Sequence, residues 1–191
     1  MRSISPAAAS WWRAAIRIWP VLLRCTKRVL DLVGARPRDL VAAAPTDDDW
    51  YANLLWVDRR KHLLLAHAGT LFPVFVADVR KADLLPIGQV AVDQIRRARD
   101  MENLPPNALG DLDPASIRLA ATASRSVLGY MNEAARFCEY AIADQGGLEG
   151  CDIDHLNRDI RRELHVSRLP PGYFVPIDLV MKRSPVRTDR T

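Results

Sequence analysis

Hydrophobic positions change their spacing partway along this chain. From Trp50 they alternate: Trp50, Ala52, Leu54 and Trp56 fall on one side of an extended segment, and Tyr51, Asn53, Leu55 and Val57 on the other. Arg59-Arg60-Lys61 marks an exposed turn, Lys61–Ala68 carries Leu63, Leu64 and Leu65, and Ala68-Gly69 turns the chain into Thr70–Asp78. Short connections between three such runs predict an antiparallel meander. Pro73 puts the third run at an edge or a bulge. Upstream, Val21–Thr26 is β-prone, and Lys27–Val33 predicts two helical turns ended by Gly34.

Beyond Asp83 the spacing becomes helical. Ile87, Val90 or Ala91, Ile95, Ala98 and Met101 predict a helix over Asp83–Asn103, stopped by Leu104-Pro105-Pro106. Ala115–Thr122 predicts one more strand. Val127, Met131, Ala134, Cys138 and Ala141 predict a second long helix over Ser124–Gln145, closed by Gly146-Gly147. Asp152 caps a third, with Ile153, Leu156, Ile160 and Leu164 toward the core. Pro170-Pro171-Gly172 breaks the chain, and Pro176 opens a short terminal helix. Strands first and helices afterwards predict an α+β fold, a small mostly antiparallel sheet with helices packed on one face.

Length and charge refine this picture. A chain of 191 residues fits one domain. The formal charge of +4 is unevenly spread: residues 1–38 carry +7, residues 39–178 carry −6 and residues 179–191 carry +3. The acidic middle argues against a concentrated phosphate-binding surface. Residues 1–20 read as a flexible or non-native N-terminal extension, residues 21–181 as a single α+β domain and residues 182–191 as a basic disordered tail. Within the extension, Ala7–Trp19 could form a short helix, but Arg13, Arg17 and Pro20 interrupt any signal-peptide core, and no run is long enough to span a membrane. Cys25, Cys138 and Cys151 form no CxxC, which suggests reduced thiols in a cytoplasmic protein.

Residues 122–132, Thr-Ala-Ser-Arg-Ser-Val-Leu-Gly-Tyr-Met-Asn, gather the candidate chemistry. Ser124 and Ser126 lie where a helix begins, and free N–H groups there suit an anion. Arg125 adds a planar fork for carboxylate or phosphate. Arg125, Gly129, Asn132 and Arg136 fall on one stripe, and Gly129 would permit close approach. Tyr51 and Asn53 share a strand face that could meet this helix. The competing reading is structural: a capping serine, a paired arginine and amides that tie down the backbone. Of the thiols, Cys25 stands nearest to basic residues, Lys27 and Arg28. The aspartate run 47–49 reads as solvated charge. Cys151 and His155 make two possible ligands where zinc takes three or four. No catalytic or cofactor motif occurs, so neither a metal nor a cofactor is expected.

Four motifs in order, Leu23-Arg24-Cys25-Thr26-Lys27, Trp50-Tyr51-Ala52-Asn53-Leu54-Leu55, Thr70-Leu71-Phe72-Pro73-Val74 and Ser124-Arg125-Ser126-Val127-Leu128-Gly129 with Met131-Asn132, resemble the bacterial domain-of-unknown-function family numbered 6933. Some of its members are described as resembling a plasmid open-reading-frame product. The likeness runs over residues 21–180 and extends to Leu156-Asn157 and Tyr173–Pro176. It implies a start near Val21 and brings no activity. Where the family tends to have an acidic or amide residue before Thr70, this chain has Ala68-Gly69.

Three functional readings follow. The first is a non-catalytic binding or interaction module, meeting a protein or a small anionic ligand through Tyr51, Asn53, Ser124, Arg125, Ser126 and Asn132. The second is a small enzyme that holds an anionic substrate with Arg125 and Asn132 and reacts through Cys25, Ser126 or Tyr51. The third is a nucleic-acid-binding accessory protein that uses Arg24, Lys27, Arg28 and the tail.

Overall fold

The computed structural model describes residues 21–110, 112–168 and 171–183. The N-terminal extension, with the helix expected over residues 7–19, and the tail from residue 184 onward lie outside the described residues.

β1 (Leu22–Cys25) leads into α1 (Lys27–Val33), which stops at Gly34 in the left-handed region (φ 77°) that glycine adopts without a Cβ penalty. β2 (Trp50–Val57) and β3 (Arg60–His67) form a long hairpin, with Trp50 opposite His67 and Val57 opposite Arg60. β4 (Pro73–Val76) pairs antiparallel to β3. The meander is therefore present, and Pro73 begins its edge strand. α2 (Ile87–Met101) starts four residues later than its spacing suggested, because Pro86 lies ahead of its first turn. β5 (Arg118–Ala121) runs parallel to β1 and follows it in the sheet order β4-β3-β2-β1-β5. β1 is also parallel to β2. α3 (Arg125–Asp144) and α4 (Ile153–Arg162) follow, capped by Ser124 and Asp152 as their sequences require.

The fold is α+β and the sheet mostly antiparallel, but its helices do not keep to one face. Leu23, Cys25, Trp50, Ala52, Leu63 and Leu65 pack on α1, α2 and α5 (Pro176–Arg183). Tyr51, Leu55, Leu64, Ala66 and Phe75, on the opposite face, pack on α3 and α4. The physical reason lies in β2 and β3, whose two sides are both largely apolar, so both must be covered.

Two ends of the molecule also depart from expectation. α4 stops at Arg162, and Leu164 is 58% exposed instead of joining the core. A hairpin of β6 (His165–Arg168) and β7 (Pro171–Phe174) takes its place. It is held by His165 and Phe174, whose rings pack against Tyr130 on α3. α5 runs through Arg183, two residues into the segment read as a tail, and Arg183 donates hydrogen bonds to Asp47 and Asp48.

Both borders of the five-stranded sheet are occupied. On the β4 side, the Asn157 side chain accepts a hydrogen bond from the Phe75 N–H (2.9 Å) and donates one to the Phe75 carbonyl (2.8 Å). One turn later, Arg161 donates to the Pro73 carbonyl. On the β5 side, the Val41 N–H reaches the Leu119 carbonyl at 2.7 Å.

The core also holds an uncharged histidine. His67 is 1% exposed, its Nδ1 lies 2.9 Å from the Thr70 hydroxyl, and burial, with Arg183 nearby, lowers its pKa to about 3. Below pH ~6.5 the unfolded chain gains a proton that the folded chain refuses, so stability falls as pH falls, by about 1.4 kcal/mol per pH unit from this group. His67→Leu should therefore flatten the loss of stability between pH 6 and pH 4, as measured by urea unfolding. An unchanged slope would show that His67 is not the group responsible.

Candidate functional site

The region of interest lies where α3 begins over the sheet face that carries Tyr51. Tyr51 and Arg24 are register partners on β2 and β1, so their side chains leave the sheet on the same side. Val127 of α3 belongs to the same core cluster as Tyr51, which brings the helix start onto the strand, as the sequence suggested.

Arg24 sits at the base of this region and is 2% exposed. Its Nε pairs with Asp49, and its terminal nitrogens donate to the carbonyls of Ala121, Ala43 and Ala44. Asp49 in turn accepts from the Thr46 N–H and hydroxyl. Asp49 is thus not solvated charge, and Arg24 is not available to a nucleic acid. Lys27 pairs with Asp31 on the surface and stays exposed, as does Arg28, while the tail beyond residue 183 lies outside the described residues.

Tyr51 is fully buried; the backbone N–H groups of Ala123 and Ser124 approach its hydroxyl oxygen, and among the described residues the hydroxyl's own proton has no acceptor. Burial raises the pKa of that hydroxyl. Arg24 and the backbone N–H groups of Ala123 and Ser124, close by, oppose the rise. Asn53 is half-buried, and its Oδ1 accepts from the hydroxyl of Thr26, the residue that opens α1. It does not meet Asn132.

On α3, the Ser124 hydroxyl accepts from the Val127 N–H and lies 2.9 Å from the Ser126 hydroxyl. No acid occupies the first turn of this 20-residue helix, so its own sequence places no negative charge at its positive end. Arg125 and Ser126 are exposed. Asn132 is exposed too, but it stands eight residues beyond Ser124, about 12 Å along the axis. It belongs to a solvated stripe with Gly129 and Arg136, and nothing lies within 4 Å of a Cβ built on Gly129. The close approach expected at that glycine is absent among the described residues.

The structure brings Tyr51 close to the backbone of Ser124, whose hydroxyl neighbours that of Ser126, while Arg125 is exposed, Asn53 is bound to Thr26, and Asn132 stands apart. Sequence reasoning missed Thr26 and the Arg24–Asp49 pair. A lone arginine inside a β-prone run was the available signal, since such a side chain must find a partner if its strand is central.

The groups needed for nucleophilic chemistry are poorly placed. Cys25 is buried, which pushes its thiol up to about 12. Burial likewise raises Cys138 to about 12. His62 accepts the Asp78 N–H at Nδ1 and so donates from Nε2 to the Val57 carbonyl. His67 is engaged with Thr70, His155 lies 3.4 Å from Asp159, and His165 lies 3.6 Å from Glu133.

With this geometry established, comparison with known proteins adds one result. A family model described as a domain of unknown function, DUF6933, matches residues 22–179. The chain belongs to this family. The DUF6933 match begins at β1 and ends within α5, so it takes in both helix layers and the α3 start, and it leaves residues 1–20 outside. No curated protein and no solved structure matches the chain. Among the described residues, no helix is long and apolar enough to cross a membrane.

Proposed function

We propose that this chain is a non-catalytic cytoplasmic binding module that receives an anionic group at the start of α3. One observation supports the reading: a buried tyrosine hydroxyl whose proton has no acceptor among the described residues lies beside the backbone N–H groups that lead into a helix with no acid in its first turn. An anion there gains from the helix dipole, the hydroxyl groups of Ser124 and Ser126, and the guanidinium of Arg125. Tyr51 has a donor to spare, which water or a ligand oxygen would satisfy. The enzyme reading has less support, because Cys25 is an un-ionised core thiol and the four histidines have other neighbours. Nucleic-acid binding has less support too, since it loses Arg24 to Asp49.

Titration of the full chain with inorganic phosphate, and separately with acetate, tests the proposal. Saturable binding should raise the melting temperature. Arg125→Ala should weaken the response about tenfold, the worth of one charge-assisted hydrogen bond. Tyr51→Phe should weaken it while leaving the fold intact, because only the hydroxyl is removed. A response that never saturates, or that both variants retain in full, refutes the site.

A further inference from the structure

The chain turns to opposite sides of the sheet at the carboxyl ends of two adjacent strands. β1 and β5 are parallel neighbours, with Cys25 opposite Ala121. From β1 the chain enters α1, which packs on the face that carries Leu23. From β5 it enters α3, which packs on the face that carries Tyr51. Where neighbouring parallel strands send their connections to opposite faces, a crevice opens beyond the strand ends, and open sheets hold their ligands there.

Polar side chains cross the sheet at this level. Cys25 pairs with Ala52 on one side and with Ala121 on the other. One residue further on, the same register sets Asn53, Thr26 and Thr122 in a row, and alternation turns them to the face of Tyr51. Thr26 is still extended, and its N–H reaches the Ala52 carbonyl. All three residues are half-buried. The Thr26 hydroxyl donates to Asn53 Oδ1 at 3.1 Å. Among the described residues this leaves the Thr26 oxygen able to accept and the Asn53 amide N–H groups able to donate. An acceptor beside a donor is the complement of a hydroxyl group, which gives and takes a hydrogen bond at one atom. One step inward lies Tyr51, fully buried, with its acceptor-less proton next to the Ser124 backbone. Arg28 and Arg125 stand exposed on the first turns of α1 and α3.

We propose that the anion received at the start of α3 is the phosphate of a small hydroxylated molecule, a sugar or polyol phosphate, whose hydroxyl groups lie over Thr26 and Asn53. The inference rests on the anion site proposed above and adds the remainder of the ligand. Two inter-strand spacings separate Asn53 from β5, about 10 Å, a span that a pentose phosphate covers. A bare anion at the helix start leaves the Thr26–Asn53 pair to water.

Calorimetric titration of the full chain with inorganic phosphate, glycerol 3-phosphate and ribose 5-phosphate tests this. Ribose 5-phosphate should bind about tenfold tighter than inorganic phosphate, the worth of one or two hydrogen bonds, with glycerol 3-phosphate between them. Asn53→Ala should remove most of that advantage and leave the affinity for inorganic phosphate within about twofold. The ranking in the wild type needs no variant, so it decides the matter even where Asn53→Ala disturbs Thr26. Equal affinity of the wild type for all three ligands overturns the hydroxylated ligand and leaves the phosphate site standing. Full preference for ribose 5-phosphate in a folded Asn53→Ala overturns the placement over Asn53. Binding of none of the three defeats the anion site, and this inference with it.

Discussion

Asp49→Ala should be among the most destabilising single substitutions in this protein. It leaves the Arg24 guanidinium, 2% exposed, with carbonyl partners but no opposite charge. Breaking a buried pair from one side costs about 3–5 kcal/mol. For a chain of this size the melting temperature should fall by roughly 6–20 °C. The same change releases Thr46 and loosens the loop that passes over Arg24. Replacing both partners at once, Arg24→Met with Asp49→Leu, should cost less than the single change, since no charge is then stranded. Thermal unfolding of the three proteins decides the matter. A single variant that melts within about 2 °C of the wild type would mean that water reaches Arg24 readily.

The second large effect is expected at the β4 edge of the sheet. Asn157 imitates a strand: its amide exchanges two hydrogen bonds with Phe75 and also accepts one from Arg161. Arg161 is itself 1% exposed, stacks 4.9 Å over Phe72 and pairs with Glu102. Asn157→Ala removes the centre of this network and should cost about 2–4 kcal/mol, because several buried groups lose partners together. Urea unfolding gives the total. Hydrogen exchange at the Phe75 amide gives the local effect and should quicken. Unchanged protection there would contradict the role assigned to Asn157. Acid should act on the same network. Burial alone would raise the Glu102 pKa, but hydrogen bonds from Arg162 and Arg161 outweigh it and hold the carboxyl below its usual value. A carboxyl shifted downward stabilises the fold above its unfolded pKa, near 4.5, and that contribution fades as pH falls through the folded value.

Local patterns could be read from the chain, and relations between distant segments could not. The β2–β3 hairpin announces itself through alternation from Trp50 to Val57, and the Ser124 and Asp152 caps through their place before apolar spacing. The parallel neighbours of β1 left no such trace. β1 and β5 have four residues each, and their pairing joins positions nearly a hundred residues apart. The covering of both sheet faces was legible in principle, since Leu55 and Val57 are as apolar as Ala52 and Leu54. The β6–β7 hairpin was obscured because Leu164 continues the spacing of Ile153, Leu156 and Ile160 although α4 has already ended. At the candidate site, Tyr51 lies in one core cluster with Val127 near the start of α3. Asn132 was misplaced because a stripe of steps four, three and four along a helix shows which residues align, not whether anything lies opposite.

The two flanks of the main sheet have a consequence for self-association. With Asn157 and Arg161 engaging Phe75 and Pro73 of one outer strand, and Val41 the Leu119 carbonyl of the other, an incoming strand from a neighbouring molecule meets backbone groups already taken at both edges. Concentrated solutions of the folded protein should resist ribbon-like growth through this sheet. Where copies do join, they would meet through side chains on helix surfaces or through the small outlying hairpin, where Val166 and Tyr173 stand exposed.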